Sequence, residues 1–476
     1  MKKKPDTHLF ICVFLTVLAF FACAHGFGVT NLIFSGNSLN IAVSENAASE
    51  IASGSWLQPF YFRLRGGISA PMMVGLMSLV CITVVCFCVC SLLDLKRPLQ
   101  IIGVCGAFVL SPGVLACFCG SMNTADASFL AMAFGAAGVL CFDAHPLGWM
   151  LTGVLFAVSA SLSFEACSFG AMLLVLLLVL QKASLLSWLK SLASCLMEAI
   201  LYVAGLVLFL RRFGADCSFL PLRNFSAMAL LQPCLSFFEP FNAYPLIAPL
   251  CVILLIALFI FIVLRISGLS GLIRPTMALL LLLPISAIPC IISGNNPQVR
   301  LTDWLFALVI LQPLLQADFT IRRISAKRVI AGLCGIVFLG QIVFANQIYL
   351  KKNLEYQSTL SVMTRVLTRL EETEGFIPGK TQVAFYGSID DGSLSVSHQG
   401  FESLDSFEAA KDHFGVTDEE LNTTYFWQIL GYPVNALSDY ERDQLRDTAD
   451  LSSLKAFPEK DCIRWCGSVL VMKLSD

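Results

Sequence analysis

The sequence predicts a polytopic α-helical membrane protein with a small C-terminal α/β domain, and three observations carry this prediction. Of its 476 residues, 57% are hydrophobic and 13% are charged, whereas soluble domains average about 25% charged residues. Mean hydropathy is +0.77. Apolar runs follow one another as far as Ile348, and the chain from Lys351 to Asp476 is polar. A bilayer is therefore expected to solvate most of the chain.

The charge balance changes at the same place. Residues 351–476 hold 12 of the 31 basic and 21 of the 33 acidic residues, so this tail has a net charge of −9 and the rest has +7. Neither part has the composition of a nucleic-acid-binding protein, and no nucleic-acid partner is expected. We expect a membrane domain over 1–350 and a soluble α/β domain over 351–476, which is of ordinary domain size.

The first apolar run follows Lys2–Lys4 and has features of a signal peptide, including the small residues Ala22 and Ala24. The run continues to Val29, however, which makes it long enough to cross a bilayer. We therefore expect an uncleaved first helix.

Ten further apolar runs bring the expected number of transmembrane helices to about 11, although several runs are shorter than the roughly 20 residues of a straight span. The expected spans are 9–29, 72–93, 99–119, 128–142, 147–162, 168–181, 191–210, 246–264, 275–293, 302–316 and 329–349.

Basic connections are expected on the cytoplasmic side. Lys2–Lys4, 94–98, 265–274 and 322–328 are such segments, which places the N-terminus in the cytoplasm. The odd number of spans then places the tail outside, with outer loops at 30–70, 211–245 and 294–301. Arg211 and Arg212 oppose this bias, so they either hold an anionic headgroup or mark an error in the topology.

Cysteines are concentrated in the apolar part, which holds 17 of the 19. Free cysteine behaves there as a small apolar residue, and we interpret CFCVC (86–90) as packing. Cys462 and Cys466 lie in the tail, where an extracytoplasmic location would permit a disulfide.

The tail has alternating helix and strand patterns. Helices are expected at 354–372, 406–415, 423–431 and 438–451, and strands at 379–388 and 467–475. Asp390 and Asp391 follow the first strand, where such residues usually form a turn.

No nucleotide-binding, zinc-protease or serine-hydrolase motif is present, so no nucleotide or redox cofactor is expected. The five histidines form no ligand pair, and no metal site is assigned, although a need for a divalent metal stays open.

Polar residues at the outer ends of helices are the remaining candidates. The first outer loop combines Glu45 and Glu50 with Arg63 and Arg65, which is typical either of an interfacial loop or of an active-site loop. Asp126 and Glu165 lie at helix ends, where ionisable groups serve as caps or have a function. Arg300 and Asp303 either pair locally or bind substrate.

Four phrases resemble the Gtr II-type glucosyltransferase family of bacterial integral-membrane proteins, which have a GT-C-like plan. They are NSLNI (37–41), GSWLQPFYFRLRGGISAP (54–71), NLEYQSTLSVMTRVLTRLEETEGFIPGKTQVAFYGS (353–388) and TYFWQILGYPVNALSD (424–439).

The resemblance implies glucosyl transfer from a polyprenyl-phosphate donor to a surface glycan, on the outer face of the bacterial cytoplasmic membrane. Membrane lipid is the further expected partner. The chain has Asn37 where relatives tend to have aspartate and Ser55 where they tend to have arginine. An amide cannot act as a base, so the acidic role is expected to pass to another carboxylate.

Asp126 is the first candidate for the catalytic carboxylate, followed by Glu165, Glu50 and Glu45. Asn37, Arg63, Arg65, Arg300 and Asp303 are the candidate substrate-binding residues. Two other functions stay open. One is a flippase or transporter of lipid-linked sugars, and the other is a non-catalytic membrane partner of a glycan-assembly machine.

Overall fold

The computed structural model describes most of the chain as helix. It describes residues 7–31, 47–120, 122–216, 247–267, 270–293, 300–316, 320–321, 324–389, 432–448 and 453–475, together with 401, 404, 407 and 416–417. The described residues fall into two compact units. One runs to Gln347 and also includes Phe407, and the other begins at Ile348.

The first unit is a bundle of apolar helices. Its helices are α1 (Thr7–Thr30), α2 (Ala47–Ala52), α3 (Gln58–Leu64), α4 (Pro71–Leu92), α5 (Pro98–Val109), α6 (Pro112–Gly120), α7 (Ala125–Cys141), α8 (Gly148–Leu162), α9 (Cys167–Leu180), α10 (Leu185–Phe213), α11 (Ile247–Ser267), α12 (Ser270–Ser293), α13 (Trp304–Gln316) and α14 (Ala326–Glu371). Helix α14 continues past Ile348 into the second unit. A short hairpin of β1 (Thr320–Ile321) and β2 (Ile324–Ser325) precedes it.

The helix starts follow from local chemistry. Pro71, Pro98 and Pro112 each stand in the first turn of a helix, where the missing N–H of proline costs nothing. Ser184 caps α10 by accepting a hydrogen bond from the backbone N–H of Ser187.

Seven helices of the described chain are long and apolar enough to cross a membrane, which is consistent with a helical membrane protein. Every expected span coincides with helix, but four of them fall on helices of 10–17 residues: Gly148–Leu162, Phe164–Leu180, Leu250–Arg265 and Trp304–Leu314. The expected number of 11 spans is therefore not confirmed.

Helix α7 lies in the interior of the first unit, where it packs against α4, α8 and α9. Small residues on α7 make this packing close, since Gly135 lies against Gly170 of α9 and Gly138 against Phe156 of α8. Helix α10, in contrast, is the most exposed of the seven long helices. Only 6% of the residues in its most apolar stretch are buried, against 67% for the helix that contains α7.

The second unit is built on a four-stranded sheet. Its strands are β3 (Gln382–Tyr386), β6 (Asn435–Ala436), β7 (Ile463–Cys466) and β8 (Val469–Lys473). They lie in the order β6-β3-β8-β7. β3 is parallel to β6 and β8, and β7 is antiparallel to β8. A further pair joins β4 (Ser388–Ile389) to β5 (Val416–Thr417), and α15 (Asp439–Thr448) follows β6.

The expected strands and helix of the tail agree with β3, β8 and α15. The short strands β6 and β7 were not expected. The helices expected at 406–415 and 423–431 lie outside the described residues, apart from Phe407. The disulfide suggested for Cys462 and Cys466 is wrong, because both are free thiols, Cys462 just before β7 and Cys466 at its end. Four extended residues span about 13 Å, whereas a disulfide needs Cα atoms within about 7 Å.

Candidate functional site

Asp126 lies in the first turn of α7 and is completely buried. Its Oδ2 accepts a hydrogen bond from the Tyr61 hydroxyl at 2.7 Å, and its Oδ1 lies 2.6 Å from Nη1 of Arg65. Both carboxylate oxygens are therefore occupied by donors from α3 and the turn that follows it. Asp126 is held in the folded protein as one half of a buried ion pair.

Arg65 makes further contacts that fix its guanidinium group. Its Nη2 donates to Ser69 Oγ at 2.5 Å and to the carbonyl oxygen of Asn123 at 3.0 Å, and the group lies 4.7 Å from the centre of the Phe62 ring. We call Tyr61, Arg65, Ser69 and Asp126 the Asp126 network. Burial and the nearby Asp126 charge raise the pKa of Tyr61, so the phenol stays a donor.

The local sequence explains how the first loop reaches α7. Phe62 of α3 packs against Ala127 in the buried interface between the two helices. Helix α3 ends at Leu64, and Gly66 and Gly67 follow with φ values of 93° and 74°, in the left-handed region. Glycine adopts this region at little cost, which allows the chain to turn sharply and place Arg65 over Asp126.

Glu165 has a different environment. It lies in a 3₁₀ turn, Phe164–Ala166, between α8 and α9. Its neighbours Phe164 and Ala166 are buried, whereas Glu165 itself is exposed. Glu165 is thus an accessible carboxylate in a turn whose other residues are packed into the protein.

The first loop also contacts this turn. Ser55 Oγ accepts a hydrogen bond from the Phe164 N–H at 3.2 Å, and the Leu57 N–H donates to the Ser161 carbonyl at 2.9 Å. Ser55 is itself buried. In this chain the position holds the loop against the Glu165 turn.

Trp56 fixes the same loop to α10. Its indole is stacked on Phe209 at a centroid distance of 4.9 Å, and it lies so close to Gly205 that a Cβ there would overlap with the ring. The Tyr202 hydroxyl donates to the Gly54 carbonyl at 3.0 Å. The loop therefore has two anchored ends, one on α7 and one on α8 and α10.

The Asp126 and Glu165 turns belong to one region. Ser128 Oγ and Ser163 Oγ lie 3.0 Å apart and connect the start of α7 to the residue before the 3₁₀ turn. The Cys117 thiol is within electrostatic reach of both the Glu165 and Asp126 carboxylates.

Arg300 and Asp303 extend this region. Asp303 Oδ2 accepts a hydrogen bond from the Arg300 backbone N–H at 3.0 Å, while Nη1 of Arg300 donates to the Ser286 carbonyl at 2.9 Å. Both residues are buried. The Arg300 guanidinium is thus directed at Ser286 of α12, and α12 in turn packs against α9, the helix that follows the Glu165 turn.

The first unit contains an apolar cavity of about 220 Å³. It is lined chiefly by hydrocarbon side chains of α5, α11, α13 and α14, among them Leu110, Val252, Leu255, Phe306, Ile310 and Phe338. Ser111 and Pro112 are among its lining residues, and the next residue, Gly113, lies against the backbone carbonyl of Arg300. Such a cavity suits a hydrocarbon chain.

The other candidates lie elsewhere or outside the described residues. Arg63 is exposed on α3. Glu50 is partly buried on α2, and burial raises its pKa. Asn37, Glu45, Asp390 and Asp391 are not among the described residues.

Four residues were missed by the sequence analysis as parts of a site: Tyr61, Ser286, Glu198, and Ser55 in its observed role. Tyr61, Arg65 and Ser69 recur at intervals of four, which was a visible signal. Glu198 stands inside an apolar run, where a carboxylate is rare and a functional candidate by default. Ser286 had no signal, because its contact with Arg300 depends on tertiary packing.

Among the described residues, no group of three or more histidine, cysteine, aspartate or glutamate side chains is arranged to hold a metal ion. Comparisons with protein-family models, with curated proteins and with solved structures found no match.

Proposed function

We propose that this protein is a membrane glycosyltransferase that moves a sugar from a polyprenyl-phosphate donor to a surface glycan on the outer face of the bacterial cytoplasmic membrane. The observation that carries the proposal is the accessible Glu165 carboxylate, in a turn that the first loop contacts through Ser55. Glucose is the sugar suggested by the resemblance of the first loop and the tail.

Glu165 is the proposed general base. It takes the proton of the acceptor hydroxyl while that oxygen attacks the anomeric carbon, and the bond between this carbon and the phosphate oxygen breaks. Polyprenyl phosphate leaves with the electron pair of that bond. Accessibility favours Glu165 over Asp126, whose two oxygens already accept from Tyr61 and Arg65.

Arg300 is the proposed counter-charge for the donor phosphate. A guanidinium group matches phosphate in charge and geometry, and a buried one acts in a medium of low dielectric constant. The apolar cavity next to Gly113 supports this role, because the hydrocarbon part of the same donor needs an apolar site close to its phosphate. The Asp126 network positions the first loop in this scheme.

A second candidate function, transport of lipid-linked sugars, is favoured by Glu198. This carboxylate lies within a membrane-spanning candidate, Leu185–Phe213, and is only partly buried. It is within electrostatic reach of the Cys167 thiol, on the first residue of α9 and two positions from Glu165. Ionisable residues in such segments often mark a substrate or proton path.

The test is a transfer assay with the purified full chain, polyprenyl-phosphate sugars and an acceptor glycan. Glu165→Gln is expected to lower the rate by about 10²–10⁴-fold, the range for loss of a general base. Glu198→Gln is the matched control and is expected to keep the wild-type rate. No transfer by the wild type with any donor would overturn the enzyme proposal, whereas full activity of Glu165→Gln would overturn only the base assignment.

A further inference from the structure

The C-terminal end of α10 carries a basic surface that the proposed reaction does not use. Arg211 and Arg212 occupy its last turn and are both exposed. The helix that leads to them is open along most of its length, with Val203, Leu208 and Phe213 among its exposed apolar side chains. The two guanidinium groups thus stand at the end of a lipid-accessible helix.

Helix α3 brings a third arginine to the same place. Phe60 contacts Phe209 and Phe213 at centroid distances of 5.3 and 6.4 Å. Arg63 lies one turn after Phe60 on α3, so it projects from the same side of that helix and is also exposed. None of the three arginines forms an ion pair with a residue that the structure describes.

Apolar side chains border these charges. Leu64 and Ile68 are 88% and 65% exposed, directly after Arg63. Phe213 is 38% exposed beside Arg212. An aromatic cluster, three guanidinium groups and protruding aliphatic side chains in one place have the chemistry of the membrane–water interface. One nearby carboxylate of the described chain, Asp216, offsets part of the charge.

We infer that Arg63, Arg211 and Arg212 form a binding site for the headgroup of an anionic glycerophospholipid. Its phosphate is held by the arginines, and its acyl chains lie along the exposed apolar face of α10. A phosphate accepts paired hydrogen bonds from guanidinium, which explains arginine rather than lysine at all three positions. The inference does not depend on the transferase proposal, because none of its residues belongs to the proposed active site.

Trp56 provides a local reporter, since it is stacked on Phe209 within this cluster. The full chain is placed in nanodiscs that contain increasing fractions of brominated phosphatidylglycerol or brominated phosphatidylcholine. The signal of Trp56 is isolated as the difference between proteins with and without Trp56→Phe. Each arginine near an anionic lipid contributes about fivefold in affinity, so with three arginines the anionic lipid is expected to quench half-maximally at a roughly 100-fold lower fraction.

The triple variant Arg63→Gln/Arg211→Gln/Arg212→Gln is expected to abolish this preference. Its quenching by brominated phosphatidylcholine should stay unchanged, which shows that the loop is still in place. The matched control is Lys182→Gln/Arg265→Gln/Arg274→Gln, which removes three exposed charges elsewhere and is expected to keep the preference. Equal quenching by the two lipids in the wild type, or an undiminished preference in the arginine variant, would overturn the proposal.

Discussion

Asp126 and Glu165 occupy similar positions in the chain but opposite environments in the fold. Each lies in the turn that opens a helix, α7 or α9, and the first loop contacts Asp126 itself and Phe164, the residue before Glu165. Asp126 is buried and both of its carboxylate oxygens contact donors, Tyr61 and Arg65. Glu165 is instead accessible, although its two neighbours are buried. The comparison indicates that the role of a carboxylate at a helix start depends on the facing loop. Where the loop supplies hydrogen-bond donors and a counter-charge the carboxylate is structural, and where it supplies neither the carboxylate stays available for reaction.

The largest expected effect on stability comes from removing one partner of the buried Arg65–Asp126 ion pair. Asp126→Asn or Arg65→Gln leaves the other charge buried and uncompensated, which typically costs about 3–5 kcal/mol of folding free energy. The measurement is denaturant unfolding of the purified protein in detergent.

The double variant Arg65→Met/Asp126→Leu is the control for that experiment. Because it buries no charge, it is expected to recover most of the lost stability. Single variants as stable as the wild type would show that Arg65 and Asp126 do not form a buried ion pair in the folded protein.

A smaller effect on stability is expected from Gly205→Ala, which changes the contact between α10 and the end of the first loop near Glu165. The new methyl group overlaps with the Trp56 ring, so the anchor of the loop on α10 must shift at a cost of about 1–3 kcal/mol. Gly335→Ala on α14 is the matched control. It meets open space, and removal of a helical glycine is expected to stabilise by about 0.5–1 kcal/mol. Equal stability changes in the two variants would refute the close contact.

Glu165→Gln is expected to change stability less than Asp126→Asn does, because Glu165 forms no ion pair with a residue that the structure describes. Thermal unfolding in the same detergent measures this change. Combined with a large loss of transfer, it would separate Glu165 sharply from Asp126. A destabilisation as large as that of Asp126→Asn would instead make both carboxylates structural.

The smallest effect concerns Glu50, an intermediate case between the two. Burial raises its pKa above the ordinary value of 4.5, so the folded protein binds this proton more tightly than the unfolded chain does. Its contribution to stability therefore falls as the pH rises from below 4.5 through the folded pKa.

Unfolding measured from about pH 4 to about pH 7 should show a shallower decline for Glu50→Gln than for the wild type. Glu441→Gln is the opposite control. Hydrogen bonds from Ser438 lower the pKa of Glu441, so its contribution is present above the ordinary value and lost as the pH falls through the folded pKa. Identical curves for Glu50→Gln and the wild type would contradict the prediction.

The sequence was informative wherever a property is local. Hydropathy located the helices, and strand patterns located β3 and β8, because burial of apolar side chains leaves a direct trace in composition. Asp126, Glu165 and Arg300 were selected as charges at the ends of apolar runs, and the structure brings the turns of Asp126 and Glu165 together.

The sequence did not predict which of these charged residues are held by buried partners and which is accessible. The pairing of Arg65 with Asp126 spans 61 positions, and that of Arg300 with Ser286 depends on how α12 packs. Neither distance is set by local spacing. The short strands β6 and β7 were missed for the same reason, since two or four residues carry too little pattern to mark a strand.

The position of β8 has a consequence for how the tail is made. This strand, at residues 469–473, is paired on one side with β3, which lies more than 80 positions earlier, and on the other with β7. The sheet therefore cannot close while the chain is still being synthesised up to that point. A premature stop before Val469 would leave β3 without its longest partner and expose its apolar edge to proteases and to other chains.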